Sequence, residues 1–302
     1  MFKKATNKKS INTIRLIIIV LCEIVFLYSA YKLVNLLIIE PYQAKSESLS
    51  IHPSSTNFTI TNDDGALVIS PDDFEDKVDE NGILISMKQA VEANSDVKGW
   101  LVVPNSIINY PVMQAANNDY YLHRGLDKKY LGRGSLFLDA SIKITKNITD
   151  NYNYVIYGHN MKNGTMFRDL LKYSKVDFYK ENAVISFDTI YESSKWVVFS
   201  VMKCNVNEAK DEVFEFYRTN FDGDADFNSF LEAIKSRSLI KTGIDVNVND
   251  TLLTLQTCSY EYDDIRTVVV ARRVRDDEKI IDVSGAVKAK NPVMPSFWKK
   301  GW

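Results

Sequence analysis

Leu252-Leu253-Thr254-Leu255-Gln256-Thr257-Cys258 and Arg266-Thr267-Val268-Val269-Val270-Ala271 are the two runs whose reading decides the fold. Both are apolar and β-branched, and the segment between them, 259–265, is far too short for a crossover helix, so they predict an antiparallel hairpin. A hairpin brings the chain back beside itself. The guanidinium that opens the second strand therefore returns to the neighbourhood of the thiol that ends the first. The ordinary alternative for Arg266 is a surface salt bridge to Asp263 or Asp264.

Six more short β-type runs lie upstream, at 100–103, 107–112, 135–138, 154–157, 184–187 and 196–201, separated by turn residues. Eight short strands predict a barrel or a sandwich. Helices are expected at 166–173 and at 226–235, where Phe227, Phe230, Leu231 and Ile234 fall at i, i+3, i+4, i+7 on one face. The second helix sits in an insertion spanning about 205–250. Two further helices are announced ahead of the first strand: Ser70-Pro71-Asp72-Asp73 offers an N-cap serine with proline at the first helical position, and Ser86-Met87-Lys88-Gln89 forms a capping box. They are expected to end near Asn81-Gly82 and Asn94-Ser95.

At the N-terminus, residues 16–39 form an almost unbroken apolar run behind Lys3, Lys4, Lys8, Lys9 and Arg15. At about 1.5 Å per residue this run crosses roughly 36 Å, enough for a membrane span, and the basic flank is the positive-inside arrangement. Glu23 inside it costs on the order of 2 to 3 kcal/mol, whereas Lys32 can snorkel to an interface. A buried soluble helix is one alternative. A secretory signal cleaved near Tyr28-Ser29-Ala30 is another, disfavoured because the apolar run continues to Ile39. The expected organisation is a basic cytoplasmic tail 1–15, a spanning helix 16–39, a Ser/Thr/Asn-rich tether 40–65, a folded domain 66–276 and a C-terminal tail 277–302 outside the cytoplasm. The terminal aromatics, from Phe297 to Trp302, either pack on the domain or touch lipid.

A hydrophobic content of 45% excludes general disorder, and a formal net charge of -2 gives no global attraction to nucleic acid. Cys22, Cys204 and Cys258 are too few for a disulfide scaffold and show no zinc spacing, and no carboxylate cluster makes a clear calcium site. Cys204 reads as a core thiol, with a bridge to Cys258 as the minor alternative. Of three histidines, His52 lies in the tether and His123 in a turn-like segment suited to the surface. His159 follows the strand 154–157 at once, between Gly158 and Asn160, where an imidazole can face a cleft. Thiol, imidazole and guanidinium together make chemical sense: the thiolate attacks a carbonyl, the imidazole handles the proton, and a fixed cation stabilises the oxyanion.

At these residues the chain resembles the sortases, the membrane-anchored cysteine transpeptidases of Gram-positive bacteria. Thr254-Leu255-Gln256-Thr257-Cys258 with Arg266, and Tyr157-Gly158-His159-Asn160-Met161, look like the family's TLxTC...R and YGHxM signatures. Gly99 to Pro104 with Ile108 to Val112, Asn118 to Leu122, Gly134 to Asp139, and Thr165-Met166-Phe167 extend the likeness over roughly 85–275. The early helices and the helix-bearing insertion resemble class B.

The resemblance implies an eight-stranded sortase-type β-barrel with Cys258 as nucleophile, His159 as general acid and thiolate partner, and Arg266 as oxyanion and substrate clamp. It implies a sorting-signal groove lined by Asn118, Leu122, Thr257 and the neighbouring Gln256, Ser259 and Tyr157, with Phe216 and Tyr217 as an aromatic wall. Gln256 stands where many relatives carry serine, and Ser259 where an acidic residue is common. The implied reaction cleaves a C-terminal NPxTx or SPxTx signal of a secreted protein after threonine and passes it to an amine of peptidoglycan or its lipid-linked precursor, with no metal or cofactor. A hydrolytic cysteine peptidase and a non-catalytic wall-binding module on the same barrel are the alternatives; a papain-like order is disfavoured because His159 precedes Cys258.

Overall fold

The computed structural model describes residues 3–42, 61–63, 66–68, 77–259 and 261–299. The chain divides into two units, residues 1–46 and 47–302. The first is helix α1 (Lys3–Val34), continued through a π-type turn at Asn35–Ile39. Its stretch Thr13–Tyr42 is 30 residues long and apolar enough to cross a membrane.

In the second unit, β1 (Thr61–Asp63) and β2 (Ala66–Val68) pair antiparallel, so a strand lies in the stretch read as tether. His52 lies outside the described residues, as does most of the helix expected from Ser70. The end foreseen for that helix is a turn, with Gly82 at φ 78° and the amides of Asn81 and Ile83 on the Asp79 carboxylate. The helix expected from Ser86 is present as a 3-10 turn, Ile85–Met87, running into α2 (Lys88–Ala93). The capping role assigned to Ser86 is corrected: the serine lies within the turn and no side chain caps its start, because the buried Leu84 and Met87 anchor the segment instead.

Next come β3 (Val97–Val102), β4 (Asn109–Met113), β5 (Leu136–Leu138) and β6 (Asn153–Tyr157). The segment expected to be helical at 166–173 is a 3-10 helix, Phe167–Ser174, followed by α3 (Val176–Glu181), which carries no clear pattern in the sequence. The chain continues through β7 (Val184–Thr189), β8 (Lys195–Asn205), α4 (Gly223–Arg237), β9 (Ile240–Lys241), β10 (Leu252–Cys258) and β11 (Ile265–Arg273).

Eight of these strands close into a barrel in the order β10-β11-β8-β7-β3-β4-β5-β6. They are the eight runs read from the sequence, and closure removes every free edge. The β6/β10 and β4/β5 pairs are parallel and the rest antiparallel. All eleven residues of β8 are buried, because the barrel interior covers one face and α4 the other. Phe227, Phe230, Leu231 and Ile234 of α4 pack there on Phe199, Met202, Val268 and Val270. Each such burial contributes about 1.5–3 kcal/mol as an upper estimate.

The stretch read as a tail is woven into the domain. Strand β12 (Ile280–Asp282) adds to β2, and β13 (Val287–Lys288) pairs with β9. The rings of Phe297 and Trp298 lie 5.5 and 5.3 Å from that of Tyr262, so these two aromatics pack on the domain.

Candidate active site

The site grows from the β10/β11 hairpin. Its register sets Cys258 directly opposite Arg266. The amide of Ser259 donates to the Ile265 carbonyl at 2.9 Å, so the preceding Cys258/Arg266 pair occupies a non-hydrogen-bonded position, where facing side chains come closest. Cys258 is exposed and Arg266 half-buried. The guanidinium donates to the backbone carbonyls of Asp263 and Ile265, while the Asp264 carboxylate pairs with Lys210. Cys204, on β8, is the partner of Arg266 across the other edge of β11. It is a free thiol in the apolar cluster under α4, and burial pushes its pKa up to about 12.

The histidine arrives from the other flank of β10. Parallel pairing places Tyr157 beside Gln256, and the Gly158 amide donates to the Gln256 carbonyl. Beyond that point two side chains keep the segments together. Thr257 Oγ1 donates to the Gly158 carbonyl at 2.7 Å, and Asn160 Nδ2 donates to the Cys258 carbonyl at 2.9 Å. His159 is therefore bracketed by residues fastened to the cysteine strand. Arg168 holds the far end of Asn160 at 3.3 Å.

A carbonyl can only accept, so the 2.9 Å contact between His159 Nε2 and the Leu122 carbonyl places the proton on Nε2 and leaves the lone pair on Nδ1. Burial lowers the pKa of His159, the Leu122 carbonyl opposes the shift, and His123 adds to it. The His123 ring stacks on that of His159 at 5.5 Å and 18°. His123, read as a surface residue, is exposed but belongs to this site. No spacing in the sequence links positions 123 and 159.

Several residues expected to line a groove are occupied in holding it together. Asn118 donates to the Asp139 carboxylate and accepts from the Ala140 amide, both at 2.8 Å, and Tyr157 donates to the same carboxylate at 2.7 Å. Burial alone would raise the pKa of Asp139, but hydrogen bonds from Ser141, Tyr157 and Asn118 outweigh it and hold the carboxyl below its ordinary range. Leu122 acts through its carbonyl. Thr257 and Ser259 are buried, so their side chains face the interior and not an open cleft. The aromatic-wall role of Phe216 is corrected in the same way: it is 2% exposed within the cluster under α4, while its neighbour Tyr217 is 40% exposed. Gln256 is half-buried, and its Oε1 has no hydrogen-bond partner among the described residues.

A sortase domain model matches residues 101–274. Sortase B of Listeria monocytogenes is 30% identical over 240 residues, covering 79% of this chain and 87% of that protein. Sortase B of Staphylococcus aureus is 34% identical over 184 residues, covering 60% of this chain and 72% of that one. Among solved structures, a Staphylococcus aureus sortase B–substrate complex superimposes with a TM-score of 0.58 at 31% identity, covering 65% of this chain and 87% of that one. The chain belongs to the sortase family. Its relatives place it in class B, and its activity is that of a sortase transpeptidase.

Proposed function

We propose that Cys258 is the nucleophile, His159 the proton carrier and Arg266 the oxyanion clamp of a transpeptidation that cleaves a sorting signal of NPxTx or SPxTx type after threonine. The observation that carries this reading is the register of the hairpin, with Cys258 opposite Arg266 and His159 bracketed by ties to the same strand. Because burial favours the uncharged imidazole, the cycle begins with neutral His159 taking the Cys258 proton on Nδ1. The thiolate adds to the threonine carbonyl, and the charge gathering on its oxygen is met by the planar guanidinium of Arg266. The imidazolium returns its proton to the departing amine as the C–N bond breaks, leaving a thioester on Cys258. An amine of the wall peptide then adds to that thioester, gives up its proton to His159, and expels the thiolate, which is reprotonated.

The N-terminal helix, in this reading, anchors the protein with its basic end in the cytoplasm and the barrel outside. Enzyme, secreted substrate and lipid-linked wall precursor then share one surface, which raises their effective concentrations. Incubation of the protein with a set of threonine-containing sorting peptides and candidate amines, followed by mass spectrometry, tests the proposal. A new amide at the threonine carbonyl is expected. Cleavage with only water incorporated would mean a peptidase, and no cleavage of any peptide would defeat the assignment.

A further inference from the structure

Lys203 is 4% exposed at the end of β8, and its ammonium makes three donations beneath the hairpin loop. It reaches Ser259 Oγ at 2.9 Å, Glu261 Oε1 at 2.8 Å and Thr267 Oγ1 at 2.9 Å. Ser259 follows Cys258, and Thr267 follows Arg266. One buried cation therefore ties the residue after the nucleophile to the residue after the arginine. Ser259 Oγ also donates to Glu261, whose side chain is 32% exposed, so the loop folds back on the same group. Glu261, two positions after Ser259, brings a carboxylate to this cluster. Burial lowers the pKa of Lys203 and Glu261 opposes that shift, which makes each partner depend on the other.

Resting on the catalytic roles proposed above, we infer that Lys203 is a positioning residue: it sets the register and loop geometry that keep Arg266 aligned with the oxyanion formed at Cys258. The lysine faces the barrel interior with Thr267 and Ser259, which are both buried, so its effect passes through the backbone and not through contact with substrate. A displacement of about 1 Å at such a pair costs on the order of a hundredfold in rate.

The test compares the full chain with Lys203→Met, which keeps length and removes the charge, and with Ser259→Ala and Thr267→Val, which each remove one arm. Steady-state transpeptidation is measured beside alkylation of Cys258 by iodoacetamide, with circular dichroism to confirm folding. Lys203→Met is expected to lower kcat at least tenfold with KM little changed, while alkylation stays within about twofold, because the thiol remains but its partner is misaligned. Each single-arm variant should lower kcat severalfold with the same split. A folded Lys203→Met with parental kcat overturns the inference, as does parallel loss of turnover and alkylation. If Lys203→Met does not fold, the two single-arm variants decide by the same criteria. An inactive parent protein would instead fault the catalytic assignment.

Discussion

Gly158, between Tyr157 and His159, leaves almost no room for a side chain. A Cβ built on it would lie 2.6 and 2.9 Å from two atoms of the Phe167 ring and closer still to Leu136 Cδ2. Ordinary carbon contacts are about 3.5–4.0 Å, so Gly158→Ala requires a shift of about 1 Å. Leu136 and Phe167 are both fully buried, and the Gly158 backbone is held by Thr257 and Gln256, so packed neighbours and strand pairing both resist the shift. Overpacking of this kind costs about 1–3 kcal/mol, which for a domain of this size lowers Tm by roughly 2–12 °C. The displaced residue is the one next to His159, and a misplacement of about 1 Å in the proton carrier proposed above costs on the order of a hundredfold in kcat/KM. Thermal unfolding followed by circular dichroism and peptide cleavage kinetics read the two effects separately. An alanine variant that melts and turns over like the parent would refute the claim that packing under Gly158 sets the histidine's position.

Cys258→Ala is expected to abolish turnover with Tm unchanged, since the exposed thiol contributes little packing, and Arg266→Ala to lower kcat/KM by at least a hundredfold with a small change in Tm; paired melting and kinetic measurements check both. Native thiol labelling with peptide mapping should modify Cys258 and spare Cys204, which becomes reactive only on unfolding, because burial holds the latter thiol protonated. An NMR titration should place the midpoint of His159 below 6.5, and His123→Ala should raise it toward that value by removing a neighbouring positive charge. The linked effect on folding has a definite sign. The unfolded chain takes up the proton near pH 6.5, so the stability due to neutral His159 is present above that pH and is lost as pH falls through the lower folded midpoint.

All eight barrel strands were legible because each is a short apolar run bounded by turn residues, and the face of α4 was legible from Phe227, Phe230, Leu231 and Ile234. The hairpin also announced that Arg266 returns to Cys258, since a connection that short permits no other topology. What the sequence hid depends on distance along the chain. Strand β12 is three residues long and owes its pairing to β2, more than 200 residues earlier, so no local period marks it. No local pattern marks Lys203, which the barrel encloses and supplies with three acceptors from two other segments. His123 and Asn160 joined the site through contacts across 36 and 98 residues. Phe216 was misplaced because an aromatic in an insertion can face a groove or a core, and only the packing of α4 decides between them.

The most direct measurement is rapid-quench mass spectrometry of the full-length protein mixed with an intact sorting peptide that it cleaves, in the absence of acceptor amine. A thioester joining the threonine carbonyl to Cys258, formed quickly in the parent and at least a hundredfold more slowly in Arg266→Ala, is the predicted result. An adduct on another residue, or equal rates of formation in the two proteins, would contradict a site built from this thiol and this guanidinium.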